Sequence, residues 1–296
     1  MKIYFLEPIG VSIEQSRVTL SKHEIIELDT RGWSDEQLIQ ATHDADILVL
    51  TNRQISAIVI KSLTKLKMIA VAFAGIDHID QNAAQLQNIL INNAAGYANT
   101  AVAELTLGFM IALARNIPQN SNSILNGAKT NTGSELKGKN IGIVGYGAIG
   151  KEVERLARAF GMNPIIFSRS YKNTLDDIFR QSGFVTLHIP LTKDTKGLIG
   201  NDLLSIMKPS AFLINCARGP IINTNDLIQC LDNGSIAGAA LDVFDMEPPL
   251  PNEYPLLKYS NVIATPHIGF NTNEALQTKG KITLNNILAF ISSFKN

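Results

Sequence analysis

Three glycines at the end of an apolar segment constrain this chain more than any other feature. The segment NIGIV, residues 140 to 144, runs into GYGAIG, in which the glycines are Gly145, Gly147 and Gly150, and then into the helix-favouring KEVERLARAFG. A strand, the spacing G-x-G-x-x-G and a helix thus occur in the order that a dinucleotide-binding unit requires. The glycines permit a tight turn, approach of a pyrophosphate and close helix packing. We expect Ala148 and Ile149, at the helix start, to contact the cofactor as well.

The residues that end the next predicted strand bear on which dinucleotide binds. In such units an acidic residue about 20 positions further on bonds the ribose 2′-hydroxyl, whereas a cation there accommodates a 2′-phosphate. Here the position is filled by Ser168, followed by Arg169 and Ser170, with Lys172 close by. A hydroxyl and a guanidinium both donate to phosphate, so the sequence favours NADP over NAD. The alternative is that Arg169 faces solvent and that NAD is the cofactor.

Short β-branched segments alternate with helical ones along the chain. Before residue 98 they are KIYFLE, EIIELD, DILVLT, KMIAVAF and ILINN, and after residue 139 they are IGIV, PIIFS, FVTLHI, AFLINC, IAGAALDV and NVIAT. Strands separated by helices predict an α/β protein with a doubly wound parallel sheet in each half. A chain of 296 residues is also long enough for two domains. We place one domain at residues 1–97 plus 271–296, with the last helix returning to it, and the dinucleotide-binding domain at residues 98–270.

The composition disfavours several kinds of partner. The 26 basic residues balance 26 acidic ones, so no net charge attracts nucleic acid or an anionic membrane surface. The longest apolar helical segment, VAELTLGFMIALAR, is interrupted by Glu104 and is shorter than the ~20 apolar residues of a membrane span. Cys216 and Cys230 lack CxxC or Cys/His spacing, so neither a disulfide framework nor a metal site is predicted. The apolar run before Glu7 is too short for a signal peptide, and we expect a cytoplasmic protein.

Seven short motifs give the chain a resemblance to a known family. They are AGIDHID at 74–80, NTAVAE at 99–104, GYGAIG at 145–150, LHIPLTKDTKGLI at 187–199, INCARG at 214–219, AALDVFDMEPP at 239–249 and TPHIGF at 265–270. With these motifs in this order, nearly the whole chain closely resembles the D-isomer-specific 2-hydroxyacid dehydrogenases, which include phosphoglycerate dehydrogenase and glyoxylate/hydroxypyruvate reductase. The resemblance implies a Rossmann-type cofactor domain inserted in a flavodoxin-like substrate domain. It also implies a homodimer formed through the cofactor domains.

The resemblance assigns the catalytic groups residue by residue. The family's arginine, glutamate and histidine fall on Arg218, Glu247 and His267. In the reduction of a 2-keto acid, a histidine with an ordinary pKa near ~6.5 can donate a proton to the carbonyl oxygen. Glu247 would favour the charged imidazole, and Arg218 would bind the substrate carboxylate. Each residue alone would be ordinary in a loop, but together they follow strands of the cofactor-binding sheet, where ligands bind.

Further contacts follow from the same resemblance. The backbone around Ala74, Gly75 and Ile76 would bind the substrate carboxylate, with Tyr97 and Asn99 nearby, although an ordinary turn explains the first segment equally well. Asp242 would hold the nicotinamide carboxamide, whereas His188 is as compatible with a packed structural role. The other residues that we expect at the cofactor are Thr100, Pro190, Thr195, Cys216 and Ala217.

The predicted function is the reduction of a small 2-keto acid, such as glyoxylate or hydroxypyruvate, to its D-2-hydroxy acid, with NADPH favoured and NAD possible. Leu50 stands where relatives that handle phosphate tend to have arginine, although Arg53 is close, so a phosphorylated substrate is disfavoured. Two alternatives remain open: a nucleotide-sensing interaction protein on the same fold, and another dehydrogenase such as a phosphite dehydrogenase. The regulatory domain of some phosphoglycerate dehydrogenases is not expected. The short connection after Ser170 predicts an open adenine side.

Overall fold

The computed structural model describes residues 1–127, 129–246 and 249–294. The chain divides into two compact units, unit 1 with Met1–Ala98 and Asn271–Asn296 and unit 2 with Asn99–Phe270. Each unit is built on one parallel sheet, which confirms the predicted fold class of two parallel-sheet α/β domains. The assignment of substrate binding to unit 1 and of cofactor binding to unit 2 stays a prediction.

Helices and strands alternate along both units, and each of the predicted strand segments contains a strand. The strands are β1 (Lys2–Phe5), β2 (Glu24–Glu27), β3 (Ile47–Leu50), β4 (Met68–Val71), β5 (Leu90–Asn93), β6 (Asn140–Val144), β7 (Asn163–Phe167), β8 (Phe184–Leu187), β9 (Phe212–Asn215), β10 (Gly238–Leu241) and β11 (Val262–Ala264). The helices are α1 (Ile13–Thr19), α2 (Asp35–Thr42), α3 (Ala57–Ser62), α4 (Gln81–Leu86), α5 (Asn99–Ala114), α6 (Ile117–Asn126), α7 (Ala148–Ala159), α8 (Leu175–Gln181), α9 (Asn201–Leu204), α10 (Thr224–Asp232) and α11 (Asn273–Ser293).

The sheet of unit 1 has the strand order β2-β1-β3-β4-β5, with parallel pairing throughout. This is the order of flavodoxin-like folds. Its central strands β3 and β4 are buried on both faces, which explains why they read as continuous apolar segments, whereas Glu24 and Glu27 of the edge strand β2 are exposed. On one face Ile3 and Phe5 pack against Leu284 and Ile287 of α11. The last helix therefore returns to the first sheet, as the sequence predicts.

The sheet of unit 2 has the order β11-β10-β9-β8-β6-β7, again with parallel pairing throughout. Successive side chains of a strand point to opposite faces. Ile141 and Ile143 accordingly pack with residues of α5 and α7, whereas Val185 and Leu187 pack with residues of α8 and α10 on the other face. The loops that follow the strands gather at the carboxyl edge of the sheet, where ligands of such folds bind.

Strand β7 forms one edge of this sheet. In the usual dinucleotide-binding order 3-2-1-4-5-6, the third strand lies outside the second. Here the third strand of the unit, β8, pairs with β6 instead, so β7 has a neighbour on one side only. Pro164 within β7 lacks an amide hydrogen and is compatible with an edge strand. Residues 168–174 connect β7 to α8, and the open adenine side stays a prediction.

The polar stretch at residues 120–140 has neither helical nor strand periodicity, which predicts an irregular connection, but it begins in a helix. Helix α6 extends to Asn126, and residues 129–136 then have neither helix nor strand. Local signals explain the helix better than apolar periodicity does. Pro118 lies in its first turn, and Gly127 ends it in the left-handed region with a φ of 62°.

Among the described residues, no single helix is both long and apolar enough to cross a membrane. Helix α5 and residues 117–124 of α6 meet the length and composition requirements only as a pair, and the two are bent by 56°.

Candidate functional site

The glycine loop after β6 is tight at its first and third glycines and open at the second. Gly145 has a φ of 101°, and a Cβ on it would overlap the carbonyl oxygen of His188. A Cβ on Gly150 would overlap the carbonyl oxygen of Gly145, so α7 packs directly against the end of β6. Around Gly147 a Cβ would meet nothing within 4 Å. The open space at Gly147 allows a pyrophosphate to approach the backbone of the loop.

The start of α7 is open to an anion. Its N-cap is Gly147, and no side chain caps the helix, whereas Thr174 and Asn223 cap α8 and α10. The first amides of a helix have no partners inside it and carry partial positive charge. Ala148 and Ile149, both predicted at the cofactor, are the first two residues of α7. Loop and helix start therefore fit the pyrophosphate of a dinucleotide.

Ser168, Arg169 and Ser170 form a turn at the end of β7. The turn lies beside the glycine loop, because the amide of Gly145 donates to the carbonyl of Phe167 at 3.0 Å. The Ser168 hydroxyl accepts from the amide of Ser170 at 3.3 Å. Arg169 is exposed, and within the described part of the chain it forms no ion pair. Its guanidinium is available to a phosphate at this end of the sheet.

Other predicted cofactor contacts lie in the loop after β8 and on α5. The Thr195 hydroxyl donates to the carbonyl of Pro190 at 2.7 Å and so closes that loop on itself. Thr100 is exposed in the first turn of α5. The Nε2 atom of His188 lies 3.0 Å from the Thr186 hydroxyl, and burial lowers the pKa of His188 to about 4. The imidazole is therefore neutral near pH 7, which suits the packed structural role.

Arg218 lies in a turn that is held by Asn215, a residue that the sequence-based predictions missed. Asn215 ends β9 and is fully buried. Its Oδ1 accepts from the amide of Ala217 and its Nδ2 donates to the carbonyl of Arg218, both at 2.9 Å. A Cβ on the next residue, Gly219, would overlap the carbonyl of Phe244. The available signal was an asparagine that ends an otherwise apolar strand.

The thiol next to this turn is unreactive. Burial raises the pKa of Cys216 to about 12, and the negative charge of Asp242 acts in the same direction. Cys216 and Cys230 are both free thiols.

In the part of the chain that the structure describes, no three histidine, cysteine or acidic side chains are grouped in a way that would hold a metal ion.

His267 lies in a loop after β11 that Asp242 fixes to the end of β10. The Asp242 carboxylate is only 1% exposed. Its Oδ1 accepts from the Thr265 hydroxyl at 2.6 Å and from the amide of Ile268 at 2.7 Å, and its Oδ2 accepts from the amide of Gly269 at 2.7 Å. The carbonyl of Asp242 also accepts from the amide of His267 at 2.9 Å. Four hydrogen bonds therefore shape the loop around the histidine.

The backbone of His267 is strained. Its φ of 56° lies in the left-handed region, which costs a non-glycine residue about 1–3 kcal/mol and persists only where surrounding contacts impose it. The imidazole packs edge-on against the ring of Phe270, with 5.4 Å between ring centroids. The bonds to Asp242 supply the required constraint and so orient the imidazole. The predicted contact between Asp242 and the nicotinamide carboxamide stays a prediction.

Glu247, the predicted partner of His267, lies outside the described residues. The segment that precedes it is anchored by Asp245, whose carboxylate accepts from the Tyr254 hydroxyl at 2.7 Å and from the Thr224 hydroxyl at 3.1 Å. The loop after β10 is thereby tied to the start of α10.

The predicted substrate contacts of unit 1 follow β4 and β5 at the carboxyl edge of its sheet. In residues 74–76, the carbonyl of Ala74 accepts from Nδ2 of Asn93 at 2.6 Å, which fixes the turn. Tyr97 is 6% exposed, so most of its ring is packed inside unit 1. Asn99, the last of the predicted substrate contacts, is the first residue of α5 in unit 2. Their contact with substrate stays a prediction.

Comparisons with known proteins show the family. Residues 107–269 match the family described as D-isomer specific 2-hydroxyacid dehydrogenase, NAD binding domain. Over 272 residues the chain is 40% identical to a D-3-phosphoglycerate dehydrogenase of Methanocaldococcus jannaschii, which covers 86% of this chain and 52% of that protein. Over 290 residues it is 35% identical to a glyoxylate reductase of Thermofilum pendens, with 90% and 85% covered. The chain belongs to the D-isomer specific 2-hydroxyacid dehydrogenase family, as its motifs indicate.

A solved structure shows the same fold. An acyclic imino acid reductase in complex with NADPH and D-Arg matches with a TM-score of 0.91 and 26% identity, over 99% of this chain and 98% of that one. The chain spans about half the length of the phosphoglycerate dehydrogenases that it matches, 52% of one and 51% of another.

Proposed function

We propose that the protein reduces a small, unphosphorylated 2-keto acid, such as glyoxylate or hydroxypyruvate, to its D-2-hydroxy acid, and that it favours NADPH over NADH. The observation that carries the proposal is the loop of His267. A strained histidine, fixed by a buried carboxylate, lies at the same edge of the unit 2 sheet as the glycine loop and Arg218. Such strain at a ligand-binding edge is typical of functional residues.

The proposed chemistry divides between two side chains of unit 2. His267 donates a proton to the carbonyl oxygen of the substrate as negative charge develops there. Arg218 binds the substrate carboxylate through its guanidinium, whose Nη1 also donates to the carbonyl of Ala217 at 2.8 Å. When bound, the reduced nicotinamide supplies a hydride to the carbonyl carbon. Glu247 favours the charged imidazole before the proton is transferred.

The contacts of Arg53 support an unphosphorylated substrate. Its guanidinium donates to the carbonyl of Thr30 at 2.5 Å and to that of Trp33 at 3.0 Å. Its amide, like that of Thr51, donates to the Glu7 carboxylate, at 2.8 and 2.7 Å. Arg53 therefore ties the loop after β3 to the segment after β2, a structural role that does not require a substrate phosphate. On this ground we propose a smaller 2-keto acid in preference to a phosphorylated one.

The test is a matrix of cofactors and substrates with the purified full chain. NADPH and NADH are each combined with glyoxylate, hydroxypyruvate and phosphohydroxypyruvate, and the loss of nicotinamide absorbance is followed. We expect turnover of an unphosphorylated acid that is faster with NADPH. His267→Ala should lower kcat by about 10²–10⁴-fold, whereas His43→Ala, which removes an exposed histidine of unit 1, should leave it unchanged.

Each part of the proposal has its own contrary result. Preference for NADH overturns the cofactor assignment, and preference for phosphohydroxypyruvate overturns the substrate class. A chain that binds NADPH but reduces none of the three acids contradicts the enzyme and supports the nucleotide-sensing alternative.

We also propose a homodimer formed through unit 2. Exposed apolar side chains support it, namely Ile117, Ile124 and Phe160, which are 50%, 83% and 45% exposed. A cavity of about 310 Å³ lined by Ile111 and Phe160 adds to this apolar surface. Sedimentation equilibrium should show a dimer that Ile124→Glu converts to a monomer. Ile58→Glu, at a site 64% exposed on unit 1, is the matched control, and a monomeric wild-type chain contradicts the proposal.

A further inference from the structure

We infer that Lys151 is a second cation of the site for the ribose 2′-phosphate and sets the cofactor preference together with Arg169. The inference rests on the NADPH part of the proposed function. Lys151 is an exposed residue near the start of α7, one position after the last glycine of the loop. The glycine spacing gives it no role, since that motif is complete without it.

Two tyrosines connect Lys151 to the turn after β7. Its ammonium lies 5.8 Å from the ring centroid of Tyr146, the residue between the first two glycines. Tyr146 in turn meets the ring of Tyr171 edge to face, with 5.2 Å between centroids. The amide of Tyr171 donates to the carbonyl of Ser168 at 3.0 Å. An aromatic bridge thus joins the lysine to the turn that contains Ser168 and Arg169.

The tyrosine beneath Lys151 is held in place by α7 itself. The Tyr146 hydroxyl donates to the carboxylate of Glu154, which raises the pKa of Tyr146. A cation over an aromatic face is attracted by the ring while its ammonium stays open to other ligands. Lys151 is therefore positioned by the ring and still able to bind an anion.

The charges of α7 leave this cation unneutralised. Glu152 pairs with Arg155 at 2.6 Å, and Glu154 pairs with Arg158 at 2.8 Å. Throughout the residues that the structure describes, Lys151 has no carboxylate within ion-pair distance. A lysine at the start of a helix also opposes the helix dipole, which favours negative charge there. Both features leave positive charge near the start of α7, which a bound anion would neutralise.

The chemical class of that anion follows from what the turn offers. The turn contains the Ser168 and Ser170 hydroxyls and the guanidinium of Arg169, all of which can donate. A phosphate monoester, with up to two negative charges and three acceptor oxygens, uses such a set of donors, whereas a ribose hydroxyl does not need two cations. The geometry therefore points to the 2′-phosphate of NADP.

Binding of two nucleotides tests the inference without any turnover. Calorimetric titrations of the full chain with 2′,5′-ADP and with 5′-AMP give the ratio of the two affinities, and isolate the contribution of the 2′-phosphate because the two nucleotides differ only in that group. We expect the wild-type chain to prefer 2′,5′-ADP. Lys151→Met should lower this preference by about fivefold, the size of a partly exposed charge pair, with little change in the affinity for 5′-AMP. Lys151→Arg should retain the preference.

Lys139→Met is the matched control, because this lysine precedes β6 at the opposite, amino end of the same strand; it should leave the ratio unchanged. An unchanged ratio in Lys151→Met overturns the inference. An equal loss of affinity for both nucleotides, which would place the lysine at the 5′-phosphate, also overturns it, and so does a wild-type chain without preference. Lys151-dependent binding of 2′,5′-ADP in a chain that reduces no keto acid upholds the inference and contradicts the proposed reaction.

Discussion

Substitution of Asp242 tests whether the strained loop is what makes His267 functional. Removing the carboxylate with Asp242→Ala deprives the Thr265 hydroxyl and the amides of Ile268 and Gly269 of their acceptor. Asp242→Asn keeps an oxygen for Thr265 and Ile268 but turns an amide NH₂ toward the amide of Gly269. The two variants therefore remove different numbers of the same contacts.

The expected cost follows from these contacts. A hydrogen bond to a charged group contributes about 1.5–3 kcal/mol, but water can enter the space that the carboxylate leaves and satisfy part of the loss. We expect Asp242→Ala to lower the free energy of unfolding by about 3 kcal/mol and Asp242→Asn by about 1–2 kcal/mol. For a unit of this size, 3 kcal/mol corresponds to a fall of about 6–12 °C in Tm.

The catalytic effect should exceed the effect on cofactor binding. Without the constraint, the backbone of His267 relaxes from its φ of 56° and moves the imidazole. Misplacement of a catalytic group by about 1 Å costs on the order of 10²-fold in rate. We expect kcat to fall by about that factor in Asp242→Ala, with the KM for NADPH almost unchanged.

A double-mutant cycle separates positioning from direct cofactor contact. If Asp242 acts through His267, then Asp242→Asn should cost nothing further in a His267→Ala chain. If Asp242→Asn slows the His267→Ala chain as much as it slows the wild-type chain, Asp242 acts independently of His267, as in the predicted contact with the nicotinamide. An Asp242→Ala chain as stable as wild type would refute the stability argument itself.

Three further results are expected. Gly145→Ala should destabilise the chain by about 1–3 kcal/mol in chemical denaturation, because its φ of 101° is strained for alanine. Gly147→Ala, where a Cβ meets open space, should leave Tm nearly unchanged but weaken nucleotide binding in calorimetric titrations. Burial lowers the pKa of His188 from 6.5 to about 4, so on acidification the imidazole is protonated in the unfolded chain before it is protonated in the folded one. The stability contributed by His188 is therefore present above about pH 6.5 and decreases toward pH 4. His188→Gln should flatten the dependence of Tm on pH over that range. Asn215→Ala leaves the carbonyl of Arg218 without its donor, so we expect a loss of about 1–3 kcal/mol and a raised KM for the keto acid in steady-state assays.

The fold was predictable because its strongest signals are local. Parallel strands buried on both faces read as short β-branched segments, and the helices between them supply the crossovers. Helix α6 was missed because its start and end depend on Pro118 and Gly127 and not on apolar spacing. The edge position of β7 could not be predicted from the sequence either, because the pattern of alternating elements is the same whether β8 pairs with β7 or with β6.

The sequence indicates candidate site residues but not their contacts. The motifs name His267 and Asp242 separately, whereas the structure bonds the amide of His267 to the carbonyl of Asp242, which lies 25 positions earlier at the end of β10. Their contact depends on the pairing of β10 with β11, which puts the two strand ends side by side. Asn215 was overlooked for a similar reason, because an amide that bonds its own turn leaves no periodic signature.

The edge position of β7 also explains why a lysine of α7 should matter for the cofactor. Where a third strand lies outside the second, the ribose end of the site has protein on both sides. Here, among the described strands, β7 pairs with β6 alone, and the carbonyl of Phe167 at its end accepts from the amide of Gly145 in the glycine loop. Lys151, on the ring of Tyr146 in that loop, is therefore a candidate to reinforce Arg169. The short connection after β7 thus removes possible contacts to a 2′-phosphate and makes the preference depend more strongly on two exposed cations. Because exposed charges are screened by salt, the preference for 2′,5′-ADP over 5′-AMP should decrease as ionic strength rises, and a preference that is independent of salt would contradict this explanation.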